Sequence, residues 1–329
     1  MTAQTPTAEV KIAELGVAPK GRSLTQEAIQ RLFRNKAAIA GLIIILGFMF
    51  LAIFAPWVAP HDPLKMTSGQ KYLPPAWVEK GPTGKAGTWD YPLGTDQVGR
   101  DVFSRVIYGA RVSLMVGFLP TIIILLIGTT IGLIAGLSGG RTDNLLMRLT
   151  DVVYAFPDLL FFIIVMIALR DTWVGQLLNG LFLLFIALAI VNWVGVARLV
   201  RGQTLSLKQK EFIEAARSIG VKTPRIMKKH LLPNTYHILT VWAAFSIPGL
   251  IITEAILGYL GLGLRPATDS TAVFVTSWGA LLLEGQTTLN AQPWVLLSPA
   301  ICIGLIVLAF TFLGDGLRDA LDPRMRGTQ

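Results

Sequence analysis

Six long apolar runs leave this 329-residue chain few folds to adopt. They cover about Ala37 to Val58, Val112 to Leu137, Val152 to Leu169, Leu177 to Val200, Ile238 to Leu260 and Trp294 to Leu313. At 1.5 Å per helical residue each reaches roughly 27–39 Å, which matches a hydrocarbon core of about 30 Å. A bilayer offers backbone N–H and C=O groups no water, so such runs must satisfy their own hydrogen bonds as helices. The expected class is an all-α integral membrane protein with six transmembrane helices. Pro157 at the start of the third run and Pro248 inside the fifth predict kinks.

Composition agrees with that class. Hydrophobic residues make up 53% of the chain and charged residues 15%, and the mean hydropathy is +0.58, well outside the range of an ordinary soluble domain. The single Cys302 excludes an intramolecular disulfide framework. His61, His230 and His237 are scattered without metal-ligand spacing, so neither metal catalysis nor a cofactor has support. The stretch "GPTGKAGT" has Ala86 after Lys85 where a phosphate-binding loop needs Ser or Thr, and its glycine spacing is wrong. With no Walker sequence elsewhere, the chain is not expected to bind ATP by itself, and nothing at this point marks it as an enzyme.

Basic residues orient the spans. With the N-terminus inside, 20 of the 29 lysines and arginines, Arg198 included, fall on the cytoplasmic side. That excess places both termini in the cytoplasm. Topology and anionic lipid account for the net charge of +9 without nucleic acid. The first span follows a long tail and lacks a cleavage site, so it reads as a retained anchor. Residues 1–22 read as a disordered cytoplasmic tail. Residues 23–36 read as an interfacial amphipathic helix, with Ser23 and Gln26 at capping-box spacing. The first transmembrane helix covers 37–58. Residues 59–111 form an extracytoplasmic loop, at whose end Val102, Val106 and Ile107 against Arg100, Asp101, Arg105 and Arg111 predict a short separate amphipathic helix. The transmembrane core occupies 112–314 and contains a cytoplasmic loop, 201–237. Residues 315–329 form a cytoplasmic tail.

Within that loop lies "EFIEAARSIGVKTPRIMKKHLLPN", Glu211 to Asn234, which has the character of a soluble basic protein. The pattern is helical from about Thr204, and Gly220 offers the left-handed residue that ends a helix. Thr223 offers an N-cap, Pro224 suits the first position of a second helix, and Pro233 stops it. A pair this short, pinned between two spans, is a poor DNA reader. Arg225, Lys228 and Lys229 allow a lipid-binding patch. The small residues Ala215 and Ala216 favour close approach by another protein.

Glu214-Ala215-Ala216, then Gly220, then Leu232-Pro233 resemble the "EAA" loop of the membrane subunits of bacterial ABC importers. His230 within "HLLPN" is similar to the peptide and nickel branch. So are "LGTDQVGRDVFSRVIYGAR", "DVVYAFPDLL", "ARLVRGQTLSL", "TEAILGYLGLGL" and "LGDGLRDALDPRMR", specifically in its C-type permease. The stretch "ATDSTAVFVT", Ala267 to Thr276, looks like an insertion. The resemblance implies the type I importer permease (MetI-like) fold and a bacterial inner-membrane location. It also implies a second homologous permease, two cytoplasmic ATPases on the EAA loops and an extracytoplasmic solute-binding protein. In that scheme Glu214 makes polar contact with the ATPase, Ala215 and Ala216 permit burial in its groove, and Gly220 sets the angle between two helices. Leu232 and Pro233 close the motif. The implied substrate is a di- or oligopeptide, with nickel chelates, glutathione-like peptides and oligosaccharides as alternatives.

A different class, the ion-coupled secondary transporter, rests on Glu254, an acidic residue in the outer half of the fifth span. Glu254 also suits a structural hydrogen-bonding role. No paired acid, Ser/Lys or His/Glu constellation supports an intramembrane enzyme.

Overall fold

The computed structural model describes residues 24–321, apart from 82–83, 266, 268, 270–271 and 291. The tail expected over 1–22 and the end of the tail expected over 315–329 lie outside the described residues. The elements in order are α1 (Leu24–Leu32), α2 (Lys36–Ile53), α3 (Ala55–Val58), α4 (Val102–Ser138), α5 (Gly140–Tyr154), α6 (Asp158–Leu169) and α7 (Trp173–Gln176). A 3-10 turn over Leu177–Gly180 leads to α8 (Leu181–Leu207), α9 (Glu211–Ser218) and α10 (Thr223–Ile226). A π turn over Met227–Leu231 leads to α11 (Leu232–Tyr259), which is followed by α12 (Trp278–Gln286) and α13 (Pro293–Leu321).

Five helical units are long and apolar enough to cross a membrane: α2, α4, α7 with α8, α10 with α11, and α13. The bent pair α5 and α6, which turn by 78° at their break, meets the same test for a sixth span only when taken together. Pro157 sits at the N-cap of α6. It lacks an N–H and drives the residue before it out of helical geometry, so the expected kink is a full break.

Glycines set the closest helix contact. Gly128, Gly132 and Gly136 recur every four residues and so form one stripe of α4. A Cβ on them would come within 2.5 Å of Val196, 2.6 Å of the Ala197 carbonyl and 2.6 Å of Thr204, all on α8. Where lipid supplies no hydrophobic drive between helices, small residues at this spacing let two backbones approach and gain dispersion contacts. A second pairing joins α2 to α13: a Cβ on Gly41 would meet the Ala309 carbonyl at 2.4 Å. Two cores follow, one centred on α8 and one among α2, α4, α12 and α13.

Three boundaries differ from the sequence expectation. Helix α4 begins at Val102, so the short amphipathic helix placed in the 59–111 loop is the first part of the second span. Asp101 caps it, accepting from the Phe103 and Ser104 N–H groups at 3.3 and 3.0 Å. Pro233 does not stop a helix. It stands in the first turn of α11, and the wider π turn before it carries the helix on, with the Leu232 N–H bonding the Met227 carbonyl. Helix α13 continues through Leu321, past the boundary expected at 314.

Candidate functional site

The loop between α8 and α11 combines one anchored face with one open face. On α9, Ile213 is buried in the α8-centred core and Ala216 is buried beside it in sequence, whereas Glu214 and Ala215 are exposed. Residues three apart on a helix share a face, so burying 213 and 216 turns 212, 215 and 219 toward solvent. Phe212 is 42% exposed and Ile219 is 80% exposed. Ala216 is therefore already committed to packing inside the chain, and Ala215 is the small residue on the open face.

Helix α9 ends in a Schellman motif. The Val221 N–H bonds the Ala216 carbonyl at 3.0 Å, and the Gly220 N–H bonds the Arg217 carbonyl at 2.9 Å. This geometry needs a left-handed residue, and Gly220 has φ +76°. A Cβ there would meet nothing within 4 Å, so the conformation alone selects glycine. The next cap lies one residue earlier than Thr223: Lys222 is the N-cap of α10, without a side-chain cap bond. Leu232 and Pro233 are exposed at the start of α11, and the His230 ring lies 6.3 Å from that of Phe212.

Upstream of this loop, α8 is tied to α5. Arg201 grips Asp143 with two bonds of 2.6 Å, and Arg198 reaches Asp151 at 2.7 Å. Lys208 donates to the Gly136 carbonyl at 3.0 Å. The bonds fix the loop's base to the helices on either side.

The opposite end of the bundle carries a buried ionic cluster that sequence reasoning missed. Arg105 on α4 is 3% exposed and donates to Asp96 at 2.8 Å and to both carboxylate oxygens of Glu284 on α12. Arg100 joins the same two carboxylates at 2.6 and 2.8 Å. Asp96 also accepts from the Val98 and Arg100 N–H groups, which shapes the turn into α4. The local pattern signalled only an amphipathic stretch, because Glu284 is 179 residues from Arg105. Beneath the cluster, the fully buried Glu254 of α11 accepts from Ser113 Oγ at 2.9 Å. Ser113 in turn accepts from the Trp278 N–H at 3.2 Å. The carboxylate thus bonds within the chain, linking α4, α11 and α12.

Comparison with known proteins places this architecture. The model of the binding-protein-dependent transport system inner membrane component matches residues 128–327. That of the N-terminal transmembrane domain of oligopeptide transport permease C matches residues 23–75. The chain is 42% identical to the oligopeptide transport system permease protein OppC of Haemophilus influenzae, over 93% of this chain and 91% of that one. It is 41% identical to the dipeptide transport system permease protein DppC of Bacillus subtilis, over 92% and 87%. A chain of the inward-facing MetNI methionine ABC transporter superposes with a TM-score of 0.51 at 16% identity, covering 67% of this chain and 97% of that one, and shows the shared fold. A helical bundle of this topology, with the EAA motif on an anchored loop between two of its spans, is a multi-pass inner-membrane transport subunit, and the chain belongs to the C-type permeases of the peptide ABC importers.

Proposed function

We propose that this permease forms half of a translocation pathway for di- or oligopeptides, opposite a second, homologous permease. Two cytoplasmic ATPases dock on the two EAA loops, and an extracytoplasmic solute-binding protein delivers substrate to the outer loops. Both termini and the 201–237 loop face the cytoplasm. The peptide class is supported by the names of the relatives at about 40% identity.

The observation that carries the coupling role is the two-sided α9. Its buried face joins the bundle, its open face presents Phe212, Glu214, Ala215 and Ile219, and the helix that follows runs without a break into the fifth span. A push on the open face is passed to α11 as a rigid displacement, which is what rocking between inward and outward states requires. Glu214 then supplies the polar contact, Ala215 the close approach and Gly220 the angle, with Leu232 and Pro233 at the foot of the fifth span. The bond from Ser113 to the buried Glu254 carboxylate supports a structural role for that residue over an ion-coupled one.

Two measurements test the proposal. In a chain whose Cys302 is replaced by Ser, cysteines at the exposed positions Ser68 and Thr223 should separate: an impermeant thiol reagent labels the first in intact cells and the second only after lysis. Equal labelling overturns the topology. Ala215→Glu should abolish ATPase co-purification and uptake while membrane insertion persists, because an unpaired charge in a packed contact costs several kcal/mol. Normal association in that variant removes the loop from the coupling role.

A further inference from the structure

Glu254 sits inside the bundle at 0% exposure, against α4 and α12. Two hydroxyls face its carboxyl, Ser113 on α4 and Ser277 at the N-cap of α12. Ser113 Oγ donates to Oε2 at 2.9 Å and accepts from the Trp278 N–H at 3.2 Å. Ser277 Oγ accepts from the Ala280 N–H at 3.1 Å, which leaves it a second lone pair. Oε1 takes no hydrogen from the described residues. Hydroxyls carry no charge, so the carboxyl has no counter-ion among its own contacts.

The cations on the elements packed around Glu254 are engaged elsewhere. Arg105 on α4 bonds Asp96 and Glu284, and it stands eight residues, about 12 Å of helix, from Ser113. Arg111 lies over the Tyr108 ring. On α8, Arg198, Arg201 and Lys208 hold Asp151, Asp143 and the Gly136 carbonyl at the inner end. Arg318 of α13 lines a groove with His237, which stands 17 residues, about 25 Å, before Glu254 on α11. A carboxyl enclosed without a cation, a metal or a set of N–H donors costs more to hold ionised than to protonate. We infer that Glu254 is held in the folded permease as the neutral carboxylic acid, a clasp between α4, α11 and α12 that keeps its proton from neutral to alkaline solution. Oε2, which takes the Ser113 hydrogen, is then the carbonyl oxygen, Oε1 carries the proton, and Ser277 Oγ has the lone pair to receive it. The three helices it joins move as one block, and no proton enters or leaves the protein at this position.

Infrared spectroscopy of the full chain, purified with whatever subunits accompany it in a detergent that lacks ester groups, gives the test. Spectra are compared with and without a heavy-carbon label at the glutamate side-chain carboxyl. The wild type should show a label-sensitive C=O band of a protonated carboxyl at neutral pH, unchanged at alkaline pH. Glu254→Gln should lose that band, and Glu79→Gln, in the exposed outer loop, should keep it whole. Ser113→Ala should move the band to higher frequency, as a carbonyl that has lost its donor does, without removing it. That shift decides the matter even where Glu254→Gln fails to assemble. Identical spectra for wild type and Glu254→Gln, a wild-type band that gives way to carboxylate as the pH rises from neutral, or a band left in place by Ser113→Ala would each overturn the assignment.

Discussion

The outer end of this permease and its α9–α10 loop treat their charged residues in opposite ways. At the outer end Arg105, Arg100, Asp96 and Glu284 bond one another, and the loop before α4 is clamped to α4 and α12. At the inner end the charges of α9 and α10 point outward, and Phe212 and Ile219 stay exposed although each would bury well. The outer end is closed on itself, so its structure depends on internal pairing. The inner end is unfinished, and an exposed apolar patch rimmed by charge is what an interaction surface looks like before its partner arrives. Lesions at the outer end should therefore act on folding, and lesions at the inner end on assembly.

The largest effect is expected at Arg105. Arg105→Ala removes the more buried of the two cations and leaves Arg100 alone against the two carboxylates of Asp96 and Glu284, a change of up to about 3–5 kcal/mol. The expected outcome is a sharp fall in thermal midpoint in detergent and in the yield of inserted protein. Arg105→Lys keeps the charge but cannot reach Asp96 and both oxygens of Glu284 together, so it should fall between. A wild-type melting profile for Arg105→Ala would erase the contrast between the two ends.

Gly220 should show the reverse signature. Its left-handed φ is the only obstacle to a side chain, since a Cβ there meets open space. Gly220→Val then costs on the order of 1–3 kcal/mol locally, swings α10 out of line and loses ATPase co-purification and uptake, with the melting profile little changed. Gly220→Asn, a residue that tolerates the same φ, should retain most of the association. Comparable loss in both variants would mean that bulk and not backbone geometry matters at this turn.

How far these features were legible in the sequence depends on their range. The spans were legible because a helix that crosses lipid needs about 20 predominantly apolar residues, and the Gly220 turn was legible because glycine suits that φ best. The Arg105–Glu284 pair was not, since two charges separated by a whole bundle leave no periodic trace. The same amphipathic pattern over Val102 to Arg111 suits a surface helix or a helix end with a buried partner, and only the partner's position decides. Pro233 misled for a related reason. A proline is a stop signal when the ladder is α-helical, but a π turn before it shifts the ladder, and the chain needs no break. Ala215 and Ala216 looked equivalent, and it took the buried Ile213 to show that only Ala215 faces outward.

The smallest effect is expected at Glu254, and it sharpens the comparison because this carboxylate belongs to the closed end while lying within a span. It accepts one hydrogen bond from Ser113 through Oε2, and its Oε1 has no partner among the described residues. Glu254→Gln retains the carbonyl oxygen that Ser113 needs and changes neither volume nor the Ser113 to Trp278 contact. The stability change should stay within about 1 kcal/mol, the scale of one neutral hydrogen bond. Uptake should fall modestly at most. It should also persist, in wild type and variant alike, when the proton and sodium gradients are dissipated and cellular ATP is held high, because in the proposed scheme the work is done on the α9 face by a separate ATPase. Uptake that stops under those conditions would transfer the energy source to an ion and make Glu254 its first candidate site. The closed outer end would then be the coupling element and the exposed inner loop only a surface for lipid.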